Sequence, residues 1–568
     1  MQKDINIVIG GEAGQGLVTI GQLLSKTLVL AGCHILVTQS YHSRIRGGHN
    51  TFAIRFGSEH LLAPRDSIDI LVALNSQTVE LHQEQLTKNG LLIADIAFAP
   101  DRQGVAKIPF TDLGPEKLWN TAALGILGNI LDLPVDLIFD TLHGMLAEKH
   151  PESLAENRTV LDKSYGWATE QIKDRKFTVS CQGQKQQQRL MVNGNEAIAL
   201  GALAAGLKFC AFYPMTPATS IVLNLISHAD AMGCVIEQAE DEIAAVNMAM
   251  GASFAGAPSM VATSGGGFAL MTEGVSLAGM TETPLLVVVA QRPGPATGLP
   301  TRTEQGDLEF VLHSGHGEFP RAVFAPGDLE SCYELTGRAL HSAERYQTPV
   351  FLLTDQFMAD SYRAIAPFDI TGTERVQAGA DPRTVSAPYL RYALTENGIS
   401  PRLLPGISEH LVIADSDEHD EKGHITEEHG VRIDMMNKRL RKGTGLIKEV
   451  LPPRHEGDAD ADLLLVSWGS SYGPVKEAAL FLREQGQKVA TLHFSQIWPL
   501  VGEQFLDILR SCNSVACIEG NATAQFARLI KRETGFSIPL QITRYDGLPF
   551  TAAYIIDRLN REIQGEKI

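Results

Sequence analysis

Between residues 190 and 366, short apolar runs alternate with stretches patterned as helices, and this alternation restricts the fold more than any other feature of the 568-residue chain. Helical spacing covers 196–206, an apolar run covers 207–212, and a short strand is predicted at 235–237. An Ala/Gly-rich helix follows over 241–256. A strand at 259–262 ends at Gly265-Gly266-Gly267, helical spacing resumes over 268–280, and 284–290 is continuously apolar. A strand that is apolar on both faces must be covered on both faces. Repeated strand–helix–strand units therefore imply a parallel sheet between helical layers.

The same reading divides the rest of the chain. Residues 1–178 form an α/β unit, with strands at 5–9, 34–38, 68–74, 90–93 and 104–108, a tight loop from Gly11 to Gly16, and a helix over 17–31. The polar run Gln182 to Arg189 offers no apolar side chain to bury and marks a boundary. Residues 190–366 form the second domain. Residues 367–455, polar and rich in Pro and Gly, read as a connecting segment, and 456–568 as a last α/β unit. A multidomain α/β chain suits this length, because single cores stop growing near about 250–300 residues.

The formal net charge of −18 opposes a nucleic-acid role, which needs concentrated Lys and Arg. No apolar run approaches the roughly 20 residues that span a bilayer. The start reads as a strand entering a glycine loop and not as a signal peptide, so a cytoplasmic protein is expected. The seven cysteines (33, 181, 210, 234, 332, 512 and 517) include no C-x-x-C pair. They read as reduced thiols and oppose an iron–sulfur cluster held by this chain alone.

Four stretches carry residues suited to chemistry. In Tyr213-Pro214-Met215-Thr216-Pro217-Ala218-Thr219, two prolines stiffen a loop just beyond a strand, where open α/β sheets hold ligands. Glu237, Glu240 and Glu242 precede or open the Ala/Gly-rich helix, an ordinary place for acids beside a helix dipole. Arg292 follows the apolar run 284–290, and its planar guanidinium suits a carboxylate. The loop Ser43-Arg44-Ile45-Arg46-Gly47-Gly48-His49-Asn50 offers cations and backbone N–H groups to a phosphate. By contrast, Gly11–Gly16 reads G-x-x-G-x-G, and no acid ends the second strand, so dinucleotide binding is not expected. The His419–His429 stretch, with Asp420, Glu421, His424, Glu427 and Glu428, reads as a solvated charge run and not a metal site.

The heptapeptide resembles the YPITPSS-type signature of the 2-oxoacid:ferredoxin oxidoreductases. Further resemblance lies in the Glu237 to Gly256 stretch, in Gln291-Arg292-Pro293-Gly294-Pro295-Ala296-Thr297-Gly298 and in Gly315-His316-Gly317-Glu318-Phe319-Pro320. The resemblance implies a Rossmann-like gamma domain at the N-terminus, a thiamine-diphosphate-type pyrimidine-binding domain, and a transketolase C-terminal-like domain. It makes Glu242 the glutamate that bonds N1′ of thiamine diphosphate, with Glu237 second. It assigns the substrate carboxylate to Thr216, Arg292 and Thr301, places Tyr213 and Pro214 at the cofactor, and suggests CoA contact at Arg46, Gly47 and Gly48. No Gly-Asp-Gly announces a Mg²⁺–diphosphate site. The resemblance therefore implies a β subunit carrying Mg²⁺, the diphosphate site and a [4Fe–4S] cluster, in an (αβ)₂ assembly that reduces ferredoxin. The implied reaction is CoA-dependent oxidation of 2-oxoglutarate to succinyl-CoA. The alternatives are pyruvate or a branched or aromatic 2-oxoacid as substrate, or a non-catalytic docking subunit.

Overall fold

The computed structural model describes residues 3–41, 48–148, 150–172, 175–179, 181, 188–458 and 460–564. The chain forms two compact units. The first runs to Val192 and takes in Ser361–Pro367 and Thr551–Ala553, and the second contains the remainder.

An eight-stranded sheet organises the first unit. Its order is Val105–Ile108, Leu86–Asp95, Ile68–Ala73, Asp4–Glu12, His49–Gly57, His34–Ser40, Tyr362–Ile365, Leu190–Val192. The first four strands run parallel to one another, and every later neighbour is antiparallel. His49–Gly57 is absent from the strands expected above, although Phe52, Ile54 and Phe56 alternate into the core with the period of a strand. The helices Leu17–Leu30 and Trp119–Ile130 contribute to that core. Not all seven cysteines are reduced thiols. Cys33 and Cys181 form a disulfide, with Cα atoms 4.9 Å apart, so these two thiols are not reduced. Their separation of 148 residues left no spacing signal in the sequence.

The second unit holds two sheets. The seven-stranded sheet has the order Gln496–Trp498, Ala322–Phe324, Pro349–Asp355, Leu285–Gln291, Ser259–Thr263, Phe209–Phe212, Val235–Gln238. All its pairs are parallel except that of Gln496–Trp498. The five-stranded sheet runs Arg454–Glu456, Val489–Phe494, Leu463–Trp468, Ser514–Glu519, Leu540–Thr543, and only its first pair is antiparallel. The two sheets share one apolar core, in which Val323 and Phe351 belong with Trp468, Phe494 and Phe526.

The stretch expected as a connection contains a 20-residue helix, His429–Lys448. Its apolar content is low, and buried charge fixes it instead. Lys438 and Lys442 each place Nζ 2.7 Å from the fully buried carboxylate of Glu282, and Arg391 donates to the Glu282 carbonyl at 2.9 Å. Burial alone would raise the Glu282 pKa, but Lys442, Lys438 and Arg391 reverse that and hold it below its ordinary value. The charged loop before this helix is also not simply solvated. Glu418 accepts two hydrogen bonds from Arg439, at 2.9 and 2.7 Å, and His419 is buried with its ring centroid 4.0 Å from that of Tyr392.

Candidate cofactor and substrate site

Thr216, Glu242 and Arg292 lie just beyond the carboxyl ends of three parallel strands of the second unit: Phe209–Phe212, Val235–Gln238 and Leu285–Gln291. From the first, the chain turns through Tyr213–Pro217 into the helix Thr219–Met232. The turn closes where the Thr219 N–H donates to the Met215 carbonyl at 3.0 Å. Asn195 braces it from below, donating to the Pro217 carbonyl at 2.8 Å and to Ser220 Oγ at 2.6 Å. Tyr213 and Pro214 are exposed, and Thr216 is half-buried. Arg292, one residue beyond the strand Leu285–Gln291, donates from Nη1 to the Thr216 carbonyl at 2.6 Å. Two sequence-predicted substrate residues, 76 positions apart, thus touch. Thr301 is half-buried further along the loop that follows Arg292.

The three glutamates separate by burial. Glu237 and Glu240 are exposed, whereas Glu242 is 3% exposed. Glu242 opens the helix Glu242–Phe254, which Asp241 caps by accepting from the Ala244 N–H at 2.8 Å. The Glu242 side chain lies under Gly267, where an added Cβ would come within 2.6 Å of Oε1. That oxygen is buried with no hydrogen-bond partner. Such a group loses its hydration without replacement, at a cost of about 1–3 kcal/mol, unless a ligand supplies the partner. Gly265–Gly267, expected as the end of a strand, instead form the first turn of the helix Gly265–Met280. Only glycine at position 267 allows Glu242 this close approach.

Sequence reasoning missed the acids on the other side. A Cβ on Gly265 would lie 2.5 and 2.6 Å from the two carboxylate oxygens of Asp307, so that group packs on the start of the same helix. The Asp307 N–H donates to Gln291 Oε1 at 3.0 Å. Burial pushes the Asp307 carboxyl up to about 6 despite the opposing charge of Arg292, and burial lowers Arg292 from its ordinary value. Glu304 is pushed up to about 7, by burial first and then by the Asp307 charge. Asp307 Oδ2, Arg292 Nε and Ser264 Oγ join Glu242 Oε1 as buried polar atoms without partners. The only available signal was the polar Gln305-Gly306-Asp307 triplet before an apolar helix start, which reads equally well as a plain helix cap.

Residues 200–438 match the family described as "Pyruvate flavodoxin/ferredoxin oxidoreductase, thiamine diP-bdg", and residues 6–167 match "Pyruvate ferredoxin/flavodoxin oxidoreductase". The chain is 29% identical to a 2-oxoacid:ferredoxin oxidoreductase subunit alpha of Sulfolobus sp., covering 99% of this chain and 97% of that one. It is 30% identical to the 2-oxoglutarate oxidoreductase subunit KorA of Mycobacterium tuberculosis, covering 97% and 90%. The chain belongs to the alpha-subunit family of the 2-oxoacid:ferredoxin oxidoreductases. A solved 2-oxoglutarate:ferredoxin oxidoreductase from Magnetococcus marinus superposes with a TM-score of 0.93 at 33% identity, covering 99% of this chain and 100% of that one. That structure holds 2-oxoglutarate, coenzyme A and succinyl-CoA.

As a member of this family the chain is one subunit of a multi-subunit oxidoreductase. Its thiamine-binding match spans Thr216, Glu242 and Arg292. No helix among the described residues is long and apolar enough to cross a membrane. Of the loop expected to contact CoA, Arg46 and Gly47 lie outside the described residues. Gly48 is exposed, with φ of 76°.

Proposed function

We propose that this alpha subunit acts on 2-oxoglutarate, with CoA as co-substrate, to give succinyl-CoA and carbon dioxide, and that the electron pair passes through a partner subunit to ferredoxin. The buried, unpartnered Oε1 of Glu242 carries the reading. It is a carboxylate oxygen without a protein donor, at the end of a parallel sheet and walled by glycine, and it fits the ring nitrogen of a thiamine aminopyrimidine. When bound, thiamine diphosphate supplies a nucleophilic carbon and an electron sink. Glu242 then holds the proton shared with the ring nitrogen. Arg292 offers its free Nε–H to the substrate carboxylate, while its bond to the Thr216 carbonyl fixes the guanidinium. The Thr216 hydroxyl and Thr301 complete that contact, and Tyr213 and Pro214 flank the cofactor.

The second half of the site is assigned to a β subunit with Mg²⁺ and a [4Fe–4S] cluster, in an (αβ)₂ assembly. The lack of Gly-Asp-Gly supports this assignment. So do large apolar side chains left exposed in the same unit: Leu223, Ile226, Val235, Ile243, Met248 and Leu270 are each at least 42% exposed. Arg46, Gly47 and Gly48 are proposed to meet CoA, and the protein is proposed to be cytoplasmic.

The test is CoA-dependent viologen reduction by the chain with and without its co-purifying partner, across a panel of 2-oxoacids. Activity in the complex alone, highest with 2-oxoglutarate, is the expected result. Faster turnover of pyruvate or a branched 2-oxoacid would overturn the substrate. Activity by the isolated chain would overturn the divided site.

A further inference from the structure

In the five-stranded sheet, the chain passes from Leu463–Trp468 to Val489–Phe494 on one side and then crosses to Ser514–Glu519 on the other. The order therefore reverses between Leu463–Trp468 and Ser514–Glu519. Open α/β sheets hold ligands in the crevice that such a reversal leaves at the carboxyl ends of the strands. Here Gln305, from the loop of the neighbouring sheet, occupies that crevice. Its Nε2 donates to the Trp468 carbonyl at 2.9 Å, and its Oε1 accepts from the Gly520 N–H at 2.8 Å. Its own N–H donates to the Gly520 carbonyl at 2.5 Å, and its carbonyl accepts from Asn521 Nδ2 at 3.2 Å. Gln525 continues the latch, donating to the Gly306 carbonyl at 2.8 Å and accepting from the Glu309 N–H at 2.9 Å. Gln305 is 3% exposed.

We infer that the crevice of the five-stranded sheet serves as a loop anchor, and that Gln305 is a positioning residue for Arg292. The geometry runs in an unbroken line. Gln305 fixes Gly306 and Asp307 at the mouth of the crevice. Asp307 bonds Gln291 at 3.0 Å, and Arg292, next in sequence, bonds the Thr216 carbonyl at 2.6 Å. The loop from Arg292 to Asp307, which contains Thr301, is therefore held at both ends, one in each sheet. Freeing the far end lets the carboxylate-binding groups drift from the cofactor side. The inference rests on the reading of Arg292 as a substrate residue.

The experiment uses the purified complex with Gln305→Ala, Arg292→Lys and both together, reading kcat, the KM for 2-oxoglutarate, the KM for CoA and the thermal midpoint. Gln305→Ala is expected to raise the 2-oxoglutarate KM about tenfold, within the range for unpairing a buried polar group, and to leave the CoA KM within about twofold. In the Arg292→Lys background the same change is expected to add less than about twofold, because residues acting through one group are not additive. Gln525→Ala, which removes only the outer bonds, is expected to move the same KM in the same direction and serves if Gln305→Ala fails to assemble. An unchanged 2-oxoglutarate KM, an equal rise in both KM values, or full additivity overturns the anchoring role. An Arg292→Lys enzyme with an ordinary 2-oxoglutarate KM overturns the substrate reading itself, and the inference with it.

Discussion

Two mostly parallel sheets in one unit end differently, and the difference separates binding from anchoring. At the carboxyl end of the seven-stranded sheet, Glu242 Oε1, Ser264 Oγ, Arg292 Nε and Asp307 Oδ2 are buried without partners. At the corresponding end of the five-stranded sheet, His493 Nε2 alone among the described residues is buried without a partner, and the buried carboxylate of Glu519 is satisfied. It accepts from the N–H groups of Phe526 and Ala527 at 2.9 and 3.1 Å and from Asn521 Nδ2 at 2.8 Å. Buried polar groups are normally paired, so a cluster of unpaired ones marks where a ligand completes the structure. The crevice of the second sheet is completed by the protein's own Gln305.

The largest effect that could break this comparison is expected at Glu242. In the complex, Glu242→Gln should lower CoA-dependent viologen reduction by about 10²–10⁴-fold, the range for losing a positioned proton-transfer group, with an unchanged thermal midpoint. Wild-type turnover would mean that its unpaired oxygen is incidental. The fully partnered Glu282, before the start of the strand Leu285–Gln291, should behave in the opposite way. Glu282→Gln leaves Lys438 and Lys442 buried without their counter-charge and should cost about 3–5 kcal/mol in denaturant unfolding. The depressed pKa of Glu282 adds a sign. Its contribution is complete above the ordinary glutamate value and lost as pH falls below it, so wild type and variant should converge in acid. A wild-type unfolding midpoint for Glu282→Gln would show that the ionic clamp adds nothing.

A smaller effect is expected at Arg292. Arg292→Lys keeps the charge but not the fork, and should raise the 2-oxoglutarate KM by about 10–150-fold, the range for a charge-assisted hydrogen bond. Saturation kinetics over a series of 2-oxoacids would check this, and an equal rise for CoA would contradict it. The smallest effect is a pH dependence. Asp307 and Glu304 have pKa values raised to about 6 and about 7, so folding favours their protonated forms. Their contribution is complete in acid, below the ordinary carboxylate values, and is lost as pH rises through about 6 to 7. The double variant Asp307→Asn, Glu304→Gln should therefore lose about 1–3 °C less than wild type in thermal midpoint between pH 5 and pH 8. Parallel melting curves would exclude the effect.

Much of the site was readable because its residues sit at strand ends, and strand ends are marked by chain-local pattern. Thr216 follows an apolar run, Arg292 follows another, and Glu242 opens a helix rich in small residues. Burial then distinguished Glu242 from Glu237 and Glu240, which composition could not, since all three lie within six residues of one another. Asp307 and Gln305 were not legible, because their neighbours come from Gly265, Gln291, Trp468 and Gly520. The helix His429–Lys448 escaped for a related reason. Its buried face sets Lys438, Arg439 and Lys442 between Met435 and Leu446, so charge interrupts the apolar stripe by which helices are recognised.

The sequence by itself determined the alternating α/β architecture, the strand ends where ligands collect, and the residue types that meet a carboxylate and a ring nitrogen there. Each of these follows from periodicity and side-chain chemistry within a few residues. Only the tertiary structure decided that Arg292 touches Thr216, that Cys33 meets Cys181, that Glu282 is surrounded by cations, and that Gln305 fills the second crevice. Those pairings join segments from about 76 to more than 160 residues apart. Chain-local pattern carries no information across such distances, because the order of strands in a sheet, and not their order in the chain, selects which ends become neighbours.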